Sequence, residues 1–541
     1  MSGPTLAFKS TTPRQPLGRS LLGLAEELLV YILLELAPAD LVSCTKVCHT
    51  MADVVERTPA VQYRLQLGLA GMVDGPANVA PVSKRLEQLL AYQAASRSGA
   101  LPIQITSHAS GGSDDWHSYR NGTYIHEHAS SLTLSRPASA FTGIEKKTVG
   151  CLNYRDHIPD PDFTIGNCAV DSDQDLVVVT QLNLGEAPHM YFLSISQEGA
   201  LHPLAAHPHV EGLVELGVSM DPEESLEIKG DLVAWSITTE VFQIFVYNWK
   251  TGKSVWESGD FNDDGNNFHH RPYFLDATHI VVVENMTLGI HEVHPTKPIH
   301  DSLLCELELP ALATNKLPHG VQSCLQFPPA HSGEAPLFKL DPSLTLLVLR
   351  FAACNNPGQS ARSNCKTFLV LVPVSTMLAQ VERVHHAKAK GQVPGTSERR
   401  SSRVVPWKEW SPLGACLLEH KSLADDGYGF DISSLGSRVL ISPPEITAAD
   451  AKDKVCILDA CPLATAMHPT PSDSAEPPIL MQQCIEDPDW FAEPVHNTLP
   501  CRVVRLDPSA ASESDWESLW GLTLAEDCLR GVKYCYYSDS E

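Results

Sequence analysis

His291, Glu292 and His294 bring two imidazoles and a carboxylate within four residues, the raw material of a zinc site. A helical zinc motif needs its histidines one turn apart, as in HExxH. The string here is HEVH, one residue short, and it falls in a run that reads as a strand. His126 and His128 stand two apart, so on a strand they share a face and have chelating spacing; a solvated sheet face is the alternative reading. Cys456 and Cys461 lack a second ligand pair and read as core thiols. The chain contains no GxSxG, no Walker-type phosphate loop and no GxGxxG. The expectation is a chain that is not an enzyme and uses no metal or cofactor.

One further patch suggests chemistry done to the protein rather than by it. Arg383, Lys388, Lys390, Arg399, Arg400, Arg403 and Lys408 form a basic island, and with Gly391, Pro394 and Gly395 the segment 383–408 reads as a flexible loop inserted between strands. Ser401 and Ser402 after Arg399-Arg400 have the spacing of a basophilic kinase site, where phosphate would cancel local positive charge.

The strongest signal is apolar. Leu24, Leu28, Ile32 and Leu36, with Leu29 and Leu33 alongside, mark one broad face of a helix; Leu41, Cys44, Val47, Cys48, Met51 and Val55 mark a second. Pro38 and Ala39 separate the runs, and Asp40 is placed to cap the second helix. Two short helices carrying this much Leu and Val need a further surface to bury, supplied by the rest of the chain or by a partner. Thr58 and Pro59 read as the start of a helix through Val61, Leu65 and Leu69, and Ser83 as the cap of another.

From about residue 100 the helical signal gives way to short β-branched runs separated by Gly, Pro, Asn and Asp. DLVVVTQ precedes HMYFLSIS, KGDLVAWSI precedes FQIFVYNWKTGKSVW, HIVVVEN precedes LGIHEV, TLLVLRFAA precedes KTFLVLVPV and SRVLISP precedes DKVCILDA. Loose repetition of paired strands is what a β-propeller permits, because each sheet buries its faces against its neighbours; a pair of β-sandwiches is the alternative. In the best copy a strand ends at Trp235, the next runs to Trp249, and Lys250-Thr251-Gly252 turns into a third. Trp116, Trp235, Trp249, Trp256, Trp490 and Trp516 read as blade core.

The chain has 541 residues and a net charge of -26, enough length for two domains and the wrong sign for nucleic acid or an anionic membrane surface. Its fifteen cysteines are scattered without CxxC, which reads as reduced thiols in a cytoplasmic or nuclear compartment. Lys9, Arg14 and Arg19 lie among Pro4, Pro13 and Pro16, so residues 1–19 read as a disordered tail. The apolar run from Leu21 to Leu36 holds Glu26, Glu27 and Glu35 and does not read as a membrane span.

The N-terminal string resembles an F-box, the motif by which substrate receptors dock on the Skp adaptor of cullin-RING ubiquitin ligases. Leu24 to Leu29, Ile32-Leu33, Leu36, Asp40-Leu41 and Val47 to Met51 stand where the family pattern has its conserved positions, with Ala25, His49 and Met51 in place of the usual proline, arginine and tryptophan. An F-box followed by a degenerate propeller is similar to the F-box proteins of mushroom-forming fungi. Asp171, Asp173, Gln174, Asp175 and Leu176 resemble that group's D..QDLL segment, and Leu307, Glu308, Leu309 and Pro310 its LELP.

The resemblance implies an α+β multidomain chain: an F-box at 20–65, a helical linker at 66–100 and a WD-like propeller at 101–541. It further implies a substrate-recognition subunit that binds the Skp adaptor, and through it a cullin-RING ligase, by Leu24, Leu28, Leu29, Ile32, Leu33, Leu41, Val47, Cys48 and Met51. The propeller would hold a protein substrate. A scaffold with a vestigial F-box, or a propeller enzyme with its site in the channel, are the other readings.

Overall fold

The computed structural model describes residues 21–535 apart from 77–79, 110–116, 121, 129–130, 160–162, 164, 182–186, 213–222, 239–240, 259–260, 263–270, 285, 300–301, 330–334, 356–364, 391–402, 421–430, 444, 447–454, 468–478, 481–483, 508–515 and 517–518. Helices come first: α1 (Glu26–Leu34), α2 (Pro38–Thr45), α3 (His49–Arg57), α4 (Pro59–Ala70) and α5 (Val82–Ser98).

The expected second helix is therefore two, broken at Lys46–Cys48, where Cys48 takes an extended conformation. The break turns α3 so that Met51, Val54 and Val55 join Leu33, Leu41, Val61 and Leu65 in one small core. Asp40 is not a cap: Pro38 occupies the first turn, and Asp40 lies inside it, adding negative charge near the positive end of the helix dipole. Thr58 and Pro59 start α4 as expected. Helix α5 begins at Val82 after Pro81, one residue before the serine expected to cap it.

Most of the described strands form seven blade sheets, beside two two-stranded pairs, Met72–Asp74 with Phe338–Leu340 and Cys484–Ile485 with Val495–His496. Blade 1 holds His117–Arg120, Thr123–His128, Ser131–Arg136 and Lys147–Leu152; blade 2 holds Asn167–Asp171, Leu176–Gln181, His189–Ser194 and His209–Glu211. Blade 3 holds Glu223–Lys229, Leu232–Thr238, Val241–Asn248 and Lys253–Glu257; blade 4 holds Pro272–Phe274, His279–Glu284, Thr287–Glu292 and Leu303–Glu308. Blade 5 holds Lys316–Leu325, Leu346–Asn355, Cys365–Pro373 and Cys416–His420, and blade 6 begins Asp431–Leu435, Arg438–Ser442, Cys456–Asp459 and Cys501–Arg505. Blade 7 is composite: Leu519–Leu524 and Leu529–Cys535 come from the C-terminus, and Ile103–Ala109 from the N-terminal side pairs parallel with Leu529–Cys535.

This closure makes a ring. Apolar clusters fill the interfaces of blades 1 and 2, 2 and 3, 3 and 4, 4 and 5, 5 and 6, and 6 and 7. The last joint, blade 7 to blade 1, is polar: the Arg530 guanidinium lies over the Tyr119 ring at 5.0 Å. The carboxylate of buried Asp527 accepts from Ser139 Oγ at 2.6 Å and from the Phe141 amide at 2.7 Å. Strands packed on both faces read as continuous apolar runs, which is why all six residues of Leu176–Gln181 are buried.

Several local expectations are corrected. Trp235 does not end its strand but lies in the middle of Leu232–Thr238, buried with Trp249, Trp256 and Trp516; Trp490 is half-buried, and Trp116 lies outside the described residues. The segment expected as a basic loop starts within a helix, α6 (Val374–Ala389), which buries Val374, Met377 and Val381 and carries Arg383 and Lys388 on its exposed side. Arg403 beyond it donates to the Leu303 carbonyl, and Lys408 pairs with Glu493. The thiols are not all reduced: Cys354 and Cys365 are opposed across a hairpin of blade 5, Cα atoms 4.4 Å apart, and form a disulfide.

Candidate functional site

Helix α1 has two faces with different fates. Leu29 and Leu33 point inward and, with Leu41 and Met51, form the module's core; Leu33 is 1% exposed and Leu41 0%. Leu28 and Ile32, one turn apart, are exposed together with Tyr31, and Leu24 just before the helix is exposed too; Leu28 is 54% exposed and Tyr31 69%. Val47, at the corner between α2 and α3, is 72% exposed, and Leu21 and Leu22 add apolar surface before α1. Cys48 is half-buried beside the core. Of the nine residues the sequence nominates for adaptor contact, Leu24, Leu28, Ile32 and Val47 are thus free to touch a partner, while Leu29, Leu33, Leu41 and Met51 hold the helices in place. Tyr31 was missed because its position lies beside the i, i+4 line; its exposure on the same helix is the signal.

The module is seated on the propeller rather than tethered to it. Helix α4 runs across the boundary expected at residue 65, and Tyr63, Leu67, Leu89 and Tyr92 share a core with Leu337, Leu340, Leu440, Ile457 and Trp516. Met72–Asp74 pairs antiparallel with Phe338–Leu340. Arg85, almost wholly buried, pairs with Asp74 and lies over the Tyr63 ring at 5.0 Å. Gly99 ends α5 at φ +75, and a Cβ there would meet the Arg505 carbonyl oxygen at 1.9 Å, so only glycine permits this approach. The segment expected as a linker is a mortised joint.

The seated face is that of the loops joining first to second strands: Leu337, Leu340, Gly436 and Ser437 all belong to such loops in blades 5 and 6. The innermost strands of all seven blades enclose a channel with a cavity of about 450 Å³. Its wall includes Tyr119 and Arg120 of blade 1, Glu227 and Lys229 of blade 3, and Arg271 and Tyr273 of blade 4.

The other nominated chemistry disperses. His291 is packed against Trp256 and bonded to Ser302 Oγ at 3.0 Å, and burial drags its pKa down to about 4. His294 sits in a turn, bonded to Thr296. The His126 and His128 rings stack 6.0 Å apart on one strand face. Burial raises the thiol of Cys456, which is half-buried, to about 11 and that of buried Cys461 to about 12. Among the described residues no three His, Cys, Asp or Glu side chains gather to hold a metal. Among the described residues no helix is long and apolar enough to cross a membrane. Ser401 and Ser402 lie outside the described residues.

The strand pairing thus defines a class: a closed seven-bladed β-propeller bearing an N-terminal module of short helices with an open apolar face. Three solved structures are similar in part. The C-terminal WD40 domain of Sif2 is 11% identical, covers 75% of this chain and 96% of its own, and has a TM-score of 0.27. The WD40 domain of SCAP from fission yeast is 8% identical, with 73% and 96% covered and a TM-score of 0.25. BamB from Moraxella catarrhalis is 11% identical, with 64% and 84% covered and a TM-score of 0.27. No protein-family model matches the chain, and none of the curated proteins does.

Proposed function

We propose that this chain is the substrate-recognition subunit of a Skp–cullin–F-box ubiquitin ligase. The observation that carries the reading is apolar surface on the N-terminal module: Leu28, Tyr31 and Ile32 on α1, Leu24 just before it and Val47 between α2 and α3 stay exposed in a stretch whose sequence pattern resembles the F-box. Each such side chain contributes roughly 1.5–3 kcal/mol on full burial before association costs, so this face supplies a stable adaptor contact. Met51, where the F-box pattern has tryptophan, is a core residue, so that departure changes the packing of the module and not its docking face.

The mechanism is recruitment without catalysis. A target held by the propeller and a ubiquitin-conjugating enzyme held through the adaptor share one assembly, and the rate gain comes from effective concentration and orientation. The buried joint of α4 and α5 with blades 5 to 7 serves that purpose, because a rigid coupling holds target and enzyme at one separation. Reconstitution of full-length protein with a fungal Skp adaptor, cullin and RING subunit tests the reading: ubiquitin transfer to the receptor or its bound target should require the chain, and transfer that is the same without it rejects the proposal.

A further inference from the structure

The channel wall is built unlike that of a merely structural pore. Arg120 (blade 1) and Arg271 (blade 4) both line it, and Arg271 acts on Arg120 as a like charge. Arg120 is deeply enclosed yet keeps part of its surface open to the channel, and one of its amino groups donates to the Leu226 carbonyl at 3.1 Å. Arg271 is exposed. Asp171 and Asp173 of blade 2 and Glu227 of blade 3 line the cavity with the two guanidiniums, and burial, with the like charge of Arg271 next, lowers the pKa of Arg120, so the pair has a position for an anion between them. Around them stand Tyr119, Tyr273, Leu226 and Phe327, and Lys229 lies 4.0 Å from the centre of the Phe327 ring. The volume is that of a small-molecule site, and a few charged groups among aromatic and aliphatic walls are the usual composition of one.

We propose that the propeller channel binds a small organic carboxylate, its anionic group held by Arg120 and Arg271 and its apolar body lying against Tyr119, Tyr273 and Phe327. The guanidinium fork suits bidentate recognition of a carboxylate. Glu227 and Glu224 are the groups that compete. Glu227 faces Arg120, Lys229, the Phe274 amide and Tyr273, and Glu224 faces Arg120 as well; burial raises Glu227 to about 8 and Glu224 to about 7, so the two carboxylates that compete with an external anion ionise as pH rises from 7 to 9. The inference does not rest on the ligase reading.

The test is calorimetric titration of the full-length protein with benzoate, against benzamide as the neutral isostere, inorganic phosphate, and a blocked glutamate-containing peptide as the acidic side-chain source. Benzoate should bind, benzamide should not, and affinity should fall at least tenfold in Arg120→Gln and in Arg271→Gln, and fall in the wild type as pH rises from 7 to 9. Arg271 is at the surface, so Arg271→Gln remains informative where Arg120→Gln fails to fold; Lys297→Gln, on the exterior, should bind as the wild type does. No benzoate binding by folded wild type, binding unchanged in Arg271→Gln, or binding of the glutamate peptide or phosphate alone would overturn the proposal.

Discussion

The hydroxyl of Tyr63 on α4 lies 2.8 Å from the carbonyl oxygen of Leu337 and 2.9 Å from Asp74 Oδ1, joining the helical module to the propeller across 274 residues of sequence. Burial, with the Asp74 carboxylate next, raises the phenol far above its ordinary range, so the hydroxyl is a donor at every working pH. Tyr63→Phe leaves the buried Leu337 carbonyl without this partner, and the expected loss is about 1–2 kcal/mol. Urea unfolding should show that loss, and amide exchange should quicken within 59–98; an unchanged exchange pattern would mean the joint is held by packing alone.

Asp527 closes the ring. It is buried, and it accepts from Ser139 Oγ, from the Phe141 amide and, at 3.3 Å, from the Thr142 amide. Asp527→Ala removes the acceptor of the Phe141 amide and of Ser139 Oγ at the joint of blades 7 and 1, while the Thr142 amide keeps Ser139 Oγ at 2.6 Å. The expected cost is roughly 3 kcal/mol, visible as a lower denaturation midpoint. A variant as stable as wild type would show that the parallel strand Ile103–Ala109 closes the ring without this clamp.

Much of this was legible in the sequence because strand burial and helical spacing leave period signals. The pairs DLVVVTQ with HMYFLSIS and HIVVVEN with LGIHEV are strands two and three of blades 2 and 4. What could not be read was long-range: that Ile103–Ala109 pairs with Leu529–Cys535, or that Cys354 faces Cys365, depends on register set by the closed ring. Nor does a face of leucines tell which edge is core. Leu28 and Leu29 are adjacent and of one type, and only the packing of α3 and α4 on α1 decides that Leu29 is buried and Leu28 is not. The helix α6 was masked by its basic residues, which occupy the solvent side of a helix anchored by Val374, Met377 and Val381.

Stability should depend on pH through the channel. Burial raises Glu227 to about 8 and Glu224 to about 7, the latter in spite of donors from Trp235 and Thr180. Between the ordinary glutamate value and 8 the folded state therefore holds more protons than the unfolded one, and stability from these groups falls as pH rises through that window and levels off above it. Glu227→Gln removes its share of the slope, so the stability of the variant relative to wild type should grow from pH 5 to pH 8 in paired denaturation curves. A constant difference would place Glu227 in contact with bulk water.

The two faces of α1 should separate under mutation. Leu33→Ala empties a core position and should cost about 2–5 kcal/mol, whereas Leu28→Ala should change stability by less than about 0.5 kcal/mol. Thermal melts of the two variants measure this, and similar losses in both would show that the outward face is covered within the chain.

The central claim is that this outward face docks on the Skp adaptor, and size-exclusion chromatography of full-length protein with a fungal Skp adaptor tests it, run in parallel for wild type and for Leu28→Asp with Ile32→Asp. The account predicts a stoichiometric wild-type complex and a folded double variant that elutes alone. A folded wild type that forms no complex, or a double variant that still carries the adaptor, would contradict it.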